Sequence, residues 1–321
     1  MNTIQEIANV LKSVKSAVIF THTRPDGDAV GSAVALSRAL SYLKIENEIV
    51  NDSILPAKFL YLVGKDEFKK APTLDAEAFV CVDCSDEARL GQLQDTYLRA
   101  ARKKVTVNVD HHISNTRFAK YNFVRECSSN CQNIFELIEA LSVPLDREIA
   151  NALMTGLITD SGNFSHNDVD GDTFRIAAKA ADAGANCDLI TYETFKKQPR
   201  SRAELYARTI GKLRYFLENR LAFSIVTQED LKACSATPDL TEGFVDFALT
   251  VDTVEVSIAL LEMRKGQYKA SLRSKGRANV NRIASVYGGG GHVLAAGCML
   301  YGDLEEILDK LQYTVSQYLE D

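Results

Sequence analysis

Residues 16–21, SAVIFT, form a short apolar and β-branched run with the pattern of a buried strand. Residues 29–43, AVGSAVALSRALSYL, follow with apolar positions at helical spacing. Comparable short apolar runs recur at 46–51, 78–83, 105–109 and 121–124, with helical patterns between most of them. Strands of nearly continuous apolar character alternating with helices predict a parallel sheet covered on both faces. An amphipathic helix over 1–15, with Ile4, Ile7, Ala8 and Leu11 on one side, is expected to pack on that sheet. Further helices are expected at 56–63, 129–141, 147–159 and 173–183. The 129–141 helix has Ser128, Ser129 and Asn130 as capping candidates, and the 173–183 helix stops at Gly184.

From 188 to 204 the chain turns polar and charged, with Pro199 inside, which marks a connection between two domains. Beyond it the pattern predicts a helix over 203–217, a strand at 221–227 and short helices at 229–234 and 243–249. A hairpin of 253–263 with 268–273 should turn at Lys265 and Gly266. A helix at 280–287, a glycine run at 288–291 and a closing helix at 303–319 complete the chain. The expected architecture is thus α/β: a parallel-sheet domain over 1–187, a connection over 188–204, and a smaller α/β domain over 205–321.

Composition supports two cores, since the chain has 321 residues, 46% of them hydrophobic. No basic and apolar leader opens it and no apolar run reaches the roughly 18 residues of a membrane span, so a cytoplasmic protein without a membrane partner is expected. A formal charge of −6 argues against a non-specific grip on long duplex nucleic acid, which requires many cations against phosphates. Seven cysteines are expected to be reduced. Cys81 and Cys84 form a C-x-x-C and Cys127 lies close to Cys131, but Cys81 falls inside an apolar strand, where a small buried hydrophobe is expected rather than a zinc ligand.

The candidate chemistry begins in the loop after the first strand, where His22, Asp26 and Asp28 crowd around Pro25 and Gly27. By itself this fits helix capping by Asp28 and turn formation by Asp26 as well as it fits a metal site. The arrangement recurs, however: Asp83 ends the run AFVCVD, Asp110, His111 and His112 follow VTVNV, and Asp160 sits where an apolar helix stops. His22, His111 and His112 are three of the five histidines, and His292 closes the four-glycine run. Unit charges about 4 Å apart repel by roughly 4 kcal/mol at an effective dielectric near 20, so several converging carboxylates need cations. The oxygen-rich set with some imidazole and no thiolate suits two divalent ions, with manganese favoured over magnesium by the imidazoles. A pair of such ions promotes attack of water on phosphorus, which makes phosphoester or phosphoanhydride hydrolysis the expected reaction class.

The segments THTRPDGDAVGS, VDCSD, VDHH and LITDSGNF resemble, in order and spacing, the four motifs of the DHH phosphoesterases, with Thr21 where many members have Asp. The resemblance implies that His22, Asp26 and Asp83 hold one manganese, that Asp28, His111 and Asp160 hold the other, and that Asp83 bridges the two beside the attacking water. It implies a catalytic role for His112 facing substrate, with Asp110 orienting a histidine from behind. His166 is expected to be a solvated loop residue.

The segments SLRS (271–274) and GGGGHVLAAG (288–297) resemble the DHH-associated C-terminal domain, although a glycine run can also be a plain turn between helix and strand. Converging glycine N–H groups and a bidentate Arg273 suit a phosphate. The implied substrate-binding set is Arg273, Ser271, Gly289, Gly290, Gly291 and His292, with His292 or Tyr287 available to stack on a base. The chain resembles most the stand-alone nanoRNase/pAp phosphatase group of the family. That implies cleavage of short 5′-phosphorylated oligoribonucleotides and 3′-phosphoadenosine 5′-phosphate (pAp), and it allows a homodimer. The competing expectations are a cyclic di-AMP phosphodiesterase, a pyrophosphatase, which would carry a Ser-Arg-Lys-Lys stretch absent here, and a non-catalytic nucleotide sensor.

Overall fold

A computed structural model of the chain describes residues 2–64 and 67–319. Two compact units divide between Lys197 and Gln198. The first runs α1 (Ile4–Lys12), β1 (Ser16–Phe20), α2 (Gly27–Tyr42), β2 (Glu46–Val50), β3 (Phe68–Lys69), β4 (Ala78–Val82), α3 (Gln94–Ala101), β5 (Val105–Asp110), β6 (Tyr121–Val124), α4 (Asn130–Leu141), α5 (Arg147–Asp160), α6 (Gly171–Asp182) and α7 (Cys187–Thr191). The second runs α8 (Arg200–Ile210), β7 (Arg214–Phe216), β8 (Leu221–Val226), α9 (Gln228–Ala233), α10 (Phe244–Ala248), β9 (Val256–Arg264), β10 (Gln267–Ser274), α11 (Val280–Val286), β11 (Gly290–Gly291), β12 (Ala295–Tyr301) and α12 (Leu304–Tyr318).

The first unit contains the expected parallel sheet, with strand order β3-β2-β1-β4-β5-β6. Successive residues of β1 serve opposite faces, as the pleat requires. Ala17 and Ile19 join α1, α2, α4 and α5 in one core, while Val18 and Phe20 join Leu90, Leu93 and Tyr97 in the other. Cys81 lies in that second core, buried among apolar neighbours. The chain leaves β1 for β2 and β3 on one side, then returns to β4 on the other, so the order of strand addition reverses between the parallel strands β1 and β4. A crevice opens beyond the carboxyl ends of the strands at such a switch point.

Helix α2 begins at Gly27, two residues earlier than expected, because Asp26 caps it by accepting from the N–H groups of Asp28 and Ala29. Capping therefore falls to Asp26, and Asp28 sits buried in the first turn. The short strand β3 lacks a pattern long enough to read from sequence. Residues 203–217 do not form one helix: α8 stops before Gly211, and Arg214–Phe216 pairs with β8, where Phe216 meets Phe223 edge-on at 5.5 Å. The stretch 188–204, expected as a connection, is itself helical in α7, in a π-helical turn (Tyr192–Lys196) and in α8.

The second unit is a mixed sheet of order β11-β12-β10-β9-β8-β7, parallel only between β8 and β9. Its β9–β10 hairpin turns at Lys265 and Gly266 as expected. Ala270 and Leu272 of β10 enter the core under α11 and α12, which leaves Lys269, Ser271 and Arg273 on the opposite face. The glycine run departs from expectation: Gly290 and Gly291 form the edge strand β11 against Gly297 and Ala296 of β12, rather than an open loop.

Helices α2 and α5 approach so closely that a Cβ at Gly31 would collide with the Ala152 carbonyl oxygen. Overpacking of this kind costs about 1–3 kcal/mol. Gly31→Ala should therefore lower the urea midpoint by an equivalent amount with an unchanged m-value, and an unaltered midpoint would show that the two helices can part.

Candidate active site

The switch-point crevice collects side chains from five places in the chain. The turn between β1 and α2 supplies His22 and Asp26, the first turn of α2 supplies Asp28, the residue after β4 supplies Asp83, the end of β5 supplies Asp110, His111 and His112, and the last residue of α5 supplies Asp160. Three donor sets result, each with its ligand atoms within 4.8 Å of one another: His22, Asp26 and Asp83; Asp28, His111 and Asp160; and Asp83, Asp110, His111 and His112. All six residues expected to hold metal are thus together.

His22 and His111 are both fixed from behind. His22 Nδ1 lies 2.9 Å from the Thr23 carbonyl oxygen and His111 Nδ1 lies 2.8 Å from that of Cys127. A carbonyl only accepts, so each Nδ1 carries the proton and each Nε2 is left to ligate. His22 Nε2 then faces Asp26 and Asp83, each at 3.6 Å. His111 Nε2 faces Asp83 at 3.4 Å, Asp160 at 3.5 Å and Asp28 at 3.8 Å. These gaps exceed hydrogen-bond length.

His112 is held differently. Its Nδ1 is 2.8 Å from Asp110 Oδ1, and Asn115 donates to Asp110 Oδ2 at 2.6 Å. Asp110 therefore orients His112 from the buried side. His166 is exposed, with its Nδ1 2.8 Å from the Asp160 carbonyl oxygen.

Two supports escaped the sequence. Asp28 accepts from the Ser129 hydroxyl at 2.7 Å and from the backbone N–H groups of Asn130 at 2.5 Å and Cys131 at 3.0 Å, so the amino end of α4 grips its carboxylate. Ser129 was legible as a cap of its own helix, but nothing local in the chain ties it to Asp28 a hundred residues away. The second support is Gly156 of α5, where a Cβ would stand 2.5 Å from Asp28 Oδ1.

The charge balance of the cluster shows what it lacks. Burial opposes charge on His22, but its contacts with Asp26 and Asp83 raise it to about 10. Burial is likewise outweighed at His111, where Asp83 and Asp28 raise it to about 11. Burial and the Asp83 charge push Asp28 up to about 6, and burial and the Asp28 charge push Asp160 up to about 8. Asp83 is buried too, yet His111 and His22 hold it well below the usual carboxylate range. The site thus retains protons wherever it can, as a cluster short of positive charge must.

Asp83 supplies the test of metal fit. It is 2% exposed, its φ of 52° places a non-glycine residue in the left-handed region, and its Oδ1 has no hydrogen-bond partner among the described residues. An orphaned buried carboxylate oxygen is costly, as is the backbone conformation. A cation between Oδ1 and the Nε2 of His111 would satisfy it, and the oxygen and imidazole donors suit a hard or borderline divalent ion.

In the second unit, Ser271 and Arg273 share a cavity of about 310 Å³ with Lys269, which the sequence pattern could have added because it alternates with them on β10. Arg273 Nε lies 3.3 Å from Asp246 Oδ1. Gly290 reaches the same row of the sheet as Ser271, since both are in register with Gly297. Gly289 and Gly291 are needed for close strand approach: a Cβ on either would strike β12. His292 is exposed in the tight turn closed by its N–H to the Ala295 carbonyl at 2.7 Å.

A doubly wound sheet whose switch point gathers carboxylates and imidazoles for divalent cations defines the class of metal-assisted phosphoesterases. The DHH family N-terminal domain matches residues 16–157, and the DHHA1 domain matches residues 232–320. The chain belongs to the DHH phosphoesterase family. It is 31% identical to the bifunctional oligoribonuclease and PAP phosphatase NrnA of Thermus thermophilus, over 98% of this chain and 93% of that protein. The NrnA of Mycoplasma genitalium, of the same description, is 25% identical over 92% of each chain. An exopolyphosphatase-related protein from Bacteroides fragilis shares the fold with a TM-score of 0.86 at 24% identity, covering 98% of this chain and 96% of that one. The manganese-bound exonuclease RecJ superposes with a TM-score of 0.57 at 14% identity, covering all of this chain and 96% of that one. No helix among the described residues is long and apolar enough to cross a membrane.

Between the ordinary imidazole value of about 6.5 and about 10, the metal-free fold keeps protons on His22 and His111 that the unfolded chain releases. Asp160, raised to about 8, acts in the same direction. Stability falls with pH wherever the folded state binds more protons. The melting temperature of chelator-treated protein should therefore drop between about pH 6.5 and about pH 10, and saturating Mn²⁺ should flatten the drop by displacing those protons. A metal-free melting curve that does not move with pH would contradict the charge balance.

Proposed function

We propose that the protein hydrolyses phosphoester bonds in short 5′-phosphorylated oligoribonucleotides, dinucleotides such as pApA and pGpG, and pAp, with two manganese ions. The chemistry rests on Asp83, whose carboxylate faces both sets, Oδ2 toward His22 and Oδ1, unpartnered among the described residues, toward His111. The substrate class rests on relatives that match the chain almost end to end and carry both activities in their names. When bound, the ion pair supplies the positive charge that activates a water and offsets charge building on the phosphoryl oxygens.

The chain's own residues do the rest. His22, Asp26 and Asp83 form one ligand set, and Asp28, His111 and Asp160 the other, with Asp83 shared. Their geometry is set in advance by the Thr23 and Cys127 carbonyls and by the amino end of α4. With Nδ1 engaged by Asp110, His112 has Nε2 left for substrate, where it donates to a phosphoryl oxygen or to the leaving oxygen. In the second unit, Arg273 and Ser271, with Gly289, Gly290, Gly291 and His292, bind the phosphate that is not cut. To do so Arg273 exchanges Asp246 for a bidentate phosphate contact.

With manganese, pAp, pApA and pGpG should be cleaved faster than cyclic di-AMP or pyrophosphate when the compounds are assayed side by side. Asp83→Ala should abolish turnover with an unchanged far-UV circular dichroism spectrum. Arg273→Ala should keep most of kcat and raise KM for pApA about 10- to 100-fold, the loss of a charged hydrogen-bonded contact worth roughly 1.5–3 kcal/mol. An intact KM in Arg273→Ala, or pyrophosphate as the best substrate, would overturn this assignment.

A further inference from the structure

Asp26 and Asp160, both proposed above as metal ligands, also line a cavity of about 180 Å³ within the first unit, together with Lys58, Phe59, Thr194 and Phe195. The cavity is too small for a whole dinucleotide, since pockets for such ligands run to about 300–1,000 Å³, but it suits a single ring system. Phe195 is 52% exposed, and nothing in the hydrophobic core requires it there. It belongs to the π-helical turn Tyr192–Lys196, closed by the Lys197 N–H on the Tyr192 carbonyl at 2.7 Å, and the Thr194 hydroxyl donates to the Ile190 carbonyl at 2.7 Å. π-helical turns are rare and concentrate at functional sites, because the extra residue re-aims side chains that an α-helix would place elsewhere. The Lys58 ammonium lies 5.2 Å from the ring centroid of the buried Phe59, which places a cation in a lining that also holds the carboxylates of Asp26 and Asp160.

We propose that this cavity is a nucleobase subsite beside the metal ligands: Phe195 stacks on the base of the nucleotide whose phosphate is attacked, and Lys58 faces that nucleotide's phosphoryl oxygens. The inference rests on the hydrolytic assignment above and adds a specificity element to it. A base–aromatic stack tolerates every base, as each has a π-face, so the subsite selects nucleotides over base-free phosphates without selecting among bases.

The chain contains no tryptophan, so Phe195→Trp introduces a single indole at the proposed platform. In the manganese-loaded full chain, AMP should quench that fluorescence saturably and ribose 5-phosphate should not. By calorimetry, Phe195→Ala should bind AMP about 10- to 100-fold more weakly than wild type, Phe195→Tyr should restore the affinity, and ribose 5-phosphate binding should be the same in all three. Lys58→Ala should weaken both ligands. An indole indifferent to AMP, or a Phe195→Ala variant with wild-type affinity for AMP, overturns the subsite. If wild type cleaves pApA while the indole stays silent, only the subsite fails. If AMP quenches the indole of a chain that cleaves no phosphoester, the subsite stands and the hydrolytic assignment fails.

Discussion

Like charges held a few ångströms apart in a buried crevice dominate this structure. Asp28, Asp83 and Asp160 approach one imidazole, Asp26 and Asp83 approach another, and one oxygen of Asp83 is left with no partner among the described residues. Each close pair of carboxylates costs several kcal/mol at the effective dielectric of a protein interior unless positive charge is interposed. Protons on His22 and His111 provide that charge in the bare cluster. Divalent cations provide it better, because they neutralise several acids at once and accept donors in a fixed geometry.

Much of the first unit serves to hold that unfavourable arrangement in place. A parallel sheet ends its strands on one side, and the switch point between β1 and β4 spreads the chain apart there, so that loops from neighbouring strands meet. Asp28 is pinned by the start of α4, Asp110 by Asn115, and the imidazoles of His22 and His111 each by a carbonyl. Glycines 27, 31 and 156 let α2 and α5 press together, and Gly156 leaves room for the Asp28 carboxylate. Rigid supports of this kind give an active site its precision, since a ligand free to relax would swing toward solvent.

The second unit works through period-two alternation instead. β10 sends Ala270 and Leu272 into the core and presents Lys269, Ser271 and Arg273 on its other face, so one strand provides both stability and a polar, cationic lining for a cavity. The glycines of the run that pairs with β12 owe their identity partly to packing. Gly289 and Gly291 permit a backbone approach that any side chain would block, and the run ends up as a strand at the edge of the sheet formed by the described residues.

The sequence by itself determined the parallel sheet and the order of the elements that carry the cluster, because apolar runs and capping residues act locally and are written in adjacent positions. It also marked His22, Asp26, Asp28, Asp83, His111 and Asp160, since each stands at the end of a recognisable strand or helix. Only the tertiary structure decided that Asp26 is the cap while Asp28 is buried in the cluster, that α4 holds Asp28 across a hundred residues, and that 290–291 pairs as a strand while 214–216 leaves the helical pattern. Those outcomes depend on which distant backbone groups need partners. Hydrogen-bond satisfaction between remote segments leaves no period in the chain to read.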